Sequence, residues 1–395
     1  MSNYNYKVGI VGLGYVGHSL FQTIKKKKIN VVGFDISKSK VNFLKQKFKY
    51  KNIISSNPLI IKNCNIYLIC VPTPIYKNKK PDLTSLIKAC SCIKKYLKKD
   101  DIVIFESTVY PGVTRNICIP KLLPKKTNIS DKKFYYGYSP ERFSPGETKK
   151  IENITKIVSG ENTNVANKIK VFYSKFINKV YTTKSIEEAE LVKNFENCQR
   201  DHNIALMNEL SILCDKKNIN FQNVLNACET KWNFKKFKPG LVGGHCISVD
   251  PYYLIEYSKK FKFNFSTLIL SRQVNENFIK YNKIKILNYL SKLKVTYKDK
   301  ILFIGVTYKK NVDDIRNSGP FKIINSIQKK YNNIDIYDPL INKNKINKIN
   351  KINKINKINN YKAIIIFHFH DLISRDKKLI KILQNNKKVL DLTFS

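Results

Sequence analysis

The 395-residue chain lacks several of the features that would assign it to a class at once. Its nine cysteines, at 64, 70, 90, 92, 118, 198, 214, 228 and 246, form no CxxC pair and no metal-ligand spacing. An odd number cannot be fully paired within one chain, so reduced thiols in a cytoplasmic protein without a metal centre are expected. No apolar run approaches the roughly 18 residues that span a bilayer. The N-terminal MSNYNYKVGIVGLG reaches a strand-like segment without the apolar stretch of an export signal, so neither secretion nor membrane anchoring is expected.

Acidic residues are scarce, 29 against 73 Lys and Arg, for a formal net charge of +44. Such an excess is the usual footprint of a protein that binds nucleic acid or an anionic surface. Here the lysines are dispersed along the whole chain beside an equally heavy load of Asn and Ile, residues with A/T-rich codons. That distribution reads as genome composition rather than a basic patch, so no specific nucleic-acid partner is expected. With 43% hydrophobic and 26% charged residues the chain is globular, and its length calls for two or three domains.

Residues 6–12 read as a buried strand, His18 to Lys28 as a helix and Val31 to Asp35 as a second strand, a βαβ opening. Short apolar strands follow at Ile66 to Val71, Ile102 to Phe105 and Ile157 to Val158, the pattern of a parallel sheet covered on both faces. From Ser185 to Cys228 Pro and Gly are absent and the sequence is helix-compatible, as it is again from Leu268 to Leu293. A second strand-first unit starts at Lys300 to Gly305, with strands at Ile334 to Tyr337, Ala363 to Phe367 and Lys388 to Leu392. The fold class is therefore α/β, two Rossmann-like parallel-sheet domains (1–190 and 298–395) joined by a helical middle domain (191–297). Residues 342–360 carry a tandem KIN repeat whose period of three suits neither a helix nor a strand on a core, so they read as a solvated low-complexity insertion.

Three motifs carry chemistry. Gly12, Gly14 and Gly17 form GxGxxG directly after a strand, with Asp35 closing the next strand 18 residues on. Glycines there allow the tight turn and close approach to a pyrophosphate, and the acid accepts bonds from ribose hydroxyls, which favours NAD over NADP. Gly240, Gly243 and Gly244 precede His245 and Cys246, and Asp250 follows. A thiolate in such a loop can attack an aldehyde, although a cysteine taken alone is as readily a small packing residue. Lys193, Asn197 and Asp201 recur every four residues on one helix face, where an ammonium and an amide can hold an oxyanion or simply face solvent.

Read in order, GLGYVG, CVPTP (Cys70 to Pro74), ESTVYPG (Glu106 to Gly112), SPERFSPG (Ser139 to Gly146), the Lys193/Asn197 helix, PGLVGGHCISVDP and GVTYKKNVDDIRNS (Gly305 to Ser318) resemble the UDP-glucose/GDP-mannose dehydrogenase superfamily over nearly the whole chain. KWNF and FKPGLVGGHC are most similar to the branch acting on UDP-N-acetylhexosamines.

The resemblance implies a nucleotide-sugar 6-dehydrogenase of surface-polysaccharide synthesis that oxidises a primary alcohol to a carboxylate in two hydride transfers to NAD. By it, Thr108 and Asp250 assist loss of the hydroxyl proton, and Cys246 attacks the aldehyde. Lys193 and Asn197 stabilise the oxyanion, and Glu141 activates the water that hydrolyses the thioester. The cofactor is expected at Gly12, Gly14, Tyr15, Val16, Gly17, Asp35, Pro72, Thr73, Ser107, Thr108 and Arg316, the UDP-sugar at Glu141, Arg142, Lys193, Asn197, Lys238, Gly240, Gly243 and Lys309. The middle helices resemble the family's dimer interface, so a homodimer or higher oligomer is expected.

Three residues depart from the family pattern: Pro145 stands where many UDP-glucose enzymes have a second glutamate, His18 replaces an apolar residue and Ser248 a glycine. UDP-glucose or GDP-mannose remains an alternative substrate. A one-step hydroxyacid or hydroxyacyl dehydrogenase would need neither the cysteine nor a third domain, and a non-catalytic basic protein would not need the intact motif residues.

Overall fold

The computed structural model describes residues 5–124, 128–143, 150–341, 346, 349–355 and 358–393. The chain forms two compact units, residues 1–196 with 252–263, and residues 197–251 with 264–395.

The first unit is built on an eight-stranded sheet in the order β3-β2-β1-β4-β5-β6-β7-β8. Its strands are β1 (Lys7–Val11), β2 (Asn30–Phe34), β3 (Ile54–Ser55), β4 (Ile66–Ile69), β5 (Ile102–Phe105), β6 (Tyr135–Tyr138), β7 (Lys156–Gly160) and β8 (Val180–Thr182). All neighbours run parallel except β6 and β7. Strands β4 and β5 are buried on both faces, which is why they read as unbroken apolar runs rather than alternating ones. One face is packed by Leu86, Ile93, Val113 and Ile119, the other by Leu20, Ile24, Ile169 and Phe172. Strand order reverses between β1 and β4, where Cys70 N donates to Val11 O at 2.8 Å. That is the switch point at which open α/β sheets receive ligands.

The helix after β1 is Tyr15–Lys26, three residues ahead of the expected start, because the glycine turn feeds straight into it. Strands β3, β6 and β8 escape a search for apolar runs, being two to four residues long and in β6 mostly tyrosine.

In the second unit a five-stranded parallel sheet runs β11-β10-β9-β12-β13. Its members are β9 (Ile301–Ile304), β10 (Ile334–Tyr337), β11 (Asn350–Ile352), β12 (Ala363–Ile366) and β13 (Val389–Asp391). The KIN repeat corrects the expectation of a wholly solvated insertion. Asn350–Ile352 is the edge strand β11, paired with β10 and tied by Asn350 Nδ2 to Asp335 Oδ1 at 2.7 Å. Ile346 and Ile349 are buried in the core. Within the strand itself Ile352 is partly buried, so one isoleucine in three gives the edge strand an apolar contact with the core.

Two long helices, Ile186–Lys216 and Ser266–Lys292, supply the helical middle. The expected helix up to Cys228 breaks after Lys216, where Asn218 adopts φ 53° and Asn220 caps a new helix, Phe221–Glu229. No helix among the described residues is long and apolar enough to cross a membrane.

Candidate active site

In the first unit the dinucleotide turn has the shape its sequence requires. Gly12 sits at φ +94°, and a Cβ on it would lie 2.8 Å from the Cys70 carbonyl. A Cβ on Gly17 would lie 1.9 Å from the Gly12 carbonyl, so the helix can pack this closely on the turn only as glycine. A Cβ on Gly14 would meet open space. The helix that follows has no side-chain cap and no acid in its first turn, which leaves its N-terminal N–H groups and dipole for an anion. Asp35 Oδ2 accepts from Leu13 N at 2.8 Å and Oδ1 from Ser37 N at 2.9 Å. Lys40 lies 3.0 Å from the same carboxylate, a partner not anticipated from sequence, where one lysine among so many has no signal. An uncapped helix start, an open face at Gly14 and an acid at the end of β2 fit a dinucleotide.

Around the switch point the expected residues do meet. Thr73 donates its hydroxyl to Thr108 O at 2.7 Å, and Tyr253 donates to Thr73 O at 2.7 Å. Ser107 spends its hydroxyl on Val71 O at 2.7 Å, so it fastens the two loops to each other. Tyr15 is half exposed and stacks on Phe143 with centroids 5.6 Å apart; Val16 follows it on the same helix, and Pro72 lies in the loop after β4.

Glu141 is 8% exposed. Its Oε1 accepts from Phe143 N, while Oε2 has no hydrogen-bond partner among the described residues. Arg142 is engaged within its own unit, 2.5 Å from Glu196 and donating to Thr155 O at 2.8 Å. Lys193 is buried on the long helix Ile186–Lys216. Three residues earlier, Glu190 takes Gly112 N at 2.6 Å and Thr114 N at 2.9 Å and so shapes the loop that follows Thr108. Its signal was present, an acid inside an otherwise recognised motif, but only the fold shows what it holds. Pro145 and Gly146 lie outside the described residues.

The second unit holds the nucleophile loop. Cys246 is exposed. Its carbonyl accepts from Val249 N at 2.9 Å and Asp250 N at 2.8 Å, so the cysteine heads the turn that opens the helix Asp250–Lys259. Asp250 and Asn197 are buried, and Asn197 Nδ2 donates to Asp250 Oδ2 at 2.5 Å. Four residues beyond Asn197, Asp201 is consumed by a buried pair with Arg272 at 2.5 Å, so the third member of the polar stripe is structural. Asn208 holds Gly240 through both backbone groups, Gly240 N to Oδ1 at 2.9 Å and Nδ2 to Gly240 O at 3.2 Å.

The turn after β9 packs on this loop. A Cβ on Gly243 would lie 2.5 Å from Asn317 O, and one on Gly244, at φ +81°, would lie 2.7 Å from the Tyr308 ring. Burial pushes the Tyr308 hydroxyl up to about 12, helped by the nearby Cys246 and Asp314. Arg316 pairs with Asp314 at 2.6 Å and reaches Cys246 electrostatically. Burial, with Arg316 adding to it, holds His245 below the usual imidazole range. Ser248 donates to Gly244 O at 2.7 Å, a bond the commoner glycine cannot make. Lys238 is exposed and Lys309 half-buried on the same unit.

Known proteins match all three segments. The UDP-glucose/GDP-mannose dehydrogenase family's NAD binding domain matches residues 45–182, its central domain 187–277 and its UDP binding domain 302–393. The UDP-N-acetyl-D-glucosamine 6-dehydrogenase of Salmonella typhi is 39% identical over 357 residues, 86% of this chain and 84% of the relative. Protein CapL of Staphylococcus aureus is 40% identical over 358 residues, again 86% and 84%. Among solved structures, the UDP-D-ManNAc dehydrogenase of Pyrococcus horikoshii superposes with a TM-score of 0.81 at 26% identity, covering 98% of this chain and 94% of its own. With motifs, fold and relatives in agreement over this much of the sequence, the chain belongs to the UDP-glucose/GDP-mannose dehydrogenase family.

Proposed function

We propose that this chain is an NAD-dependent nucleotide-sugar 6-dehydrogenase that oxidises the 6-hydroxymethyl of a UDP-N-acetylhexosamine to the carboxylate, for surface-polysaccharide synthesis. Most support comes from the exposed Cys246 at the head of the turn that delivers Asp250 to Asn197. A nucleophile that is accessible, next to a buried carboxylate–amide pair, suits attack on an aldehyde better than packing does.

NAD, when bound, accepts the hydride of each oxidation. The turn at Gly12, Gly14 and Gly17 would receive its pyrophosphate and Asp35 its ribose, Tyr15, Val16, Pro72, Thr73, Ser107 and Thr108 would shape the site, and Arg316 is assigned to the cofactor by the family resemblance. Asp250 and the Thr108 hydroxyl hold the sugar's 6-hydroxyl while its proton leaves. The Cys246 thiolate then adds to the aldehyde. Asn197 has one amide N–H on Asp250, and its second, with the Lys193 ammonium one turn earlier on the helix, would hold the resulting oxyanion. Glu141, with Oε2 uncommitted, takes the proton of the water that cleaves the thioester. Lys238, Gly240, Gly243 and Lys309, with Arg142, belong to the sugar-nucleotide site.

In this reading residues 1–190 bind the cofactor, 191–297 carry the cysteine loop and the oligomer contact, and 298–395 bind the UDP group. Leu206, Leu210 and Leu213, exposed on one face of the long helix, suit a homodimer. All nine cysteines are free, which fits the cytosol.

NADH yield from limiting UDP-GlcNAc, UDP-GalNAc, UDP-glucose or GDP-mannose tests the assignment. Two NADH per acetylhexosamine are expected, with Cys246→Ser unable to complete both oxidations. Preference for UDP-glucose would overturn the substrate, and no reaction with any of the four would overturn the enzyme.

A further inference from the structure

The first unit buries a charged cluster to which the proposed chemistry gives no task. Glu106 follows β5 and is 1% exposed, and Lys156, the first residue of β7, is 5% exposed. Their side chains pair at 2.5 Å. Tyr173, on the helix Thr163–Ser174, donates its hydroxyl to the other oxygen of Glu106, and its ring centroid lies 5.4 Å from the Lys156 ammonium. The ammonium also donates to Pro140 O at 3.1 Å and Ser139 O at 3.4 Å. Those carbonyls belong to the two residues immediately before Glu141.

A buried ion pair is a weak source of stability, because desolvation offsets most of its attraction. Apolar side chains would fill this space as well, as they do along β4 and β5. What they could not do is gather two consecutive carbonyls and so fix the direction in which the next residue leaves the backbone. Ser139 ties the same segment to β7 a second time, donating to Ile157 O at 2.7 Å. The cluster is also in electrostatic reach of Glu141. Burial pushes the Glu106 carboxyl up, Lys156 opposes that rise and Glu141 adds to it. Without the ammonium, the effect of Glu141 on the Glu106 carboxyl would go unopposed.

The geometry points to Lys156, braced by Glu106 and Tyr173, as the positioning residue that holds Glu141 for hydrolysis of the acyl intermediate on Cys246. This rests on the reading of Glu141 as the base for that step. There the water oxygen bonds to the acyl carbon, the carbon–sulfur bond breaks, Glu141 takes the water's proton and Cys246 leaves as thiolate. Lys156 touches none of the reacting atoms. Its removal therefore slows the step that Glu141 serves and spares the two hydride transfers.

The test compares full-length wild type, Glu141→Gln and the double variant Glu106→Gln/Lys156→Met, which removes both charges together. Each is mixed with NAD and UDP-N-acetylglucosamine, or whichever UDP-acetylhexosamine the wild type oxidises. Single-turnover NADH formation and the intact mass of quenched protein are followed. The double variant is expected to form NADH within about threefold of wild type yet to release product about 10- to 100-fold more slowly, with the acyl adduct on Cys246 visible by mass. Hydride transfer and hydrolysis falling together, or no adduct, would overturn the positioning role. If the double variant does not fold, Tyr173→Phe takes its place, with a smaller adduct population expected and its absence equally decisive. Adduct in Glu141→Gln but in neither cluster variant refutes the positioning role alone. No adduct in Glu141→Gln removes the reading of Glu141 as base, and this proposal with it.

Discussion

Replacing Glu190 by Gln should abolish a specific pH dependence of stability. The side chain is fully buried and accepts from the Gly112 and Thr114 amides. Burial outweighs those bonds and pushes the carboxyl up to about 7 from its ordinary 4.5. The folded state then holds this proton more tightly than the unfolded chain does. Stability from the group is therefore complete below about 4.5 and is lost as pH rises to about 7. The change is worth about 3 kcal/mol in full, and about 2.5 kcal/mol of it falls between pH 5 and 8. Gln cannot titrate, and its amide turns an N–H toward one of the two backbone donors, a cost of about 1–3 kcal/mol at every pH. Wild type should thus exceed the variant most at pH 5, with the gap shrinking by about 2.5 kcal/mol toward pH 8. Urea unfolding at several pH values measures it. In thermal midpoints the same change is roughly 2–4 °C per kcal/mol for a unit of this size. A gap that stays constant from pH 5 to 8, or widens, would refute the reasoning.

Two substitutions test the loops directly. Gly244→Ala places a Cβ 2.7 Å from the Tyr308 ring at a φ of +81°, adding about 1–2 kcal/mol of backbone strain, so kcat should fall at least about tenfold as the cysteine loop shifts; an unchanged kcat would refute the packing argument. Lys40→Ala removes a half-exposed partner 3.0 Å from Asp35 that must swing aside for a ribose, so KM for NAD should fall about two- to fivefold at unchanged kcat in initial-rate assays, and a rise in KM would show that Lys40 supports the cofactor rather than competing with it.

Most of the fold was legible because its signals are local. An apolar run bounded by turns marks β4, β5, β9 and β12, which are buried on both faces. The glycine turn and Asp35 are legible for the same reason, since backbone clearance fixes the residue type. Strand β11 was hidden, because its three residues join the sheet through pairing with β10, a tertiary fact with no local pattern. The site divides in the same way. Cys246 and Asn197 announce themselves by motif. Lys40, Glu190 and Asn208 do not, because their importance lies in what they reach across the fold: Asp35, the Gly112 turn and Gly240. In a chain with 73 Lys and Arg residues, a single functional lysine carries almost no compositional signal.

The two sheets use the same opening turn to different ends. In each, a glycine with positive φ follows the first strand, Gly12 at +94° and Gly305 at +68°. In each, the next amide donates to an aspartate at the end of the neighbouring strand, Leu13 N to Asp35 and Val306 N to Asp338, both at 2.8 Å. The surroundings differ. Gly14 faces open space, whereas its counterpart Thr307 is fully buried and donates to Lys309 O at 3.0 Å. Lys40, the partner of Asp35, is 42% exposed and can swing aside. His370, the partner of Asp338 at 3.0 Å, is fully buried and cannot. A diphosphate needs free amides and a ribose needs an acid with room for two hydroxyls, and in the second turn both are taken by the chain's own atoms. On the proposed reading, recognition in that unit falls to the residues just past the turn, Tyr308 and Lys309, and Tyr308 also packs on the glycines ahead of Cys246.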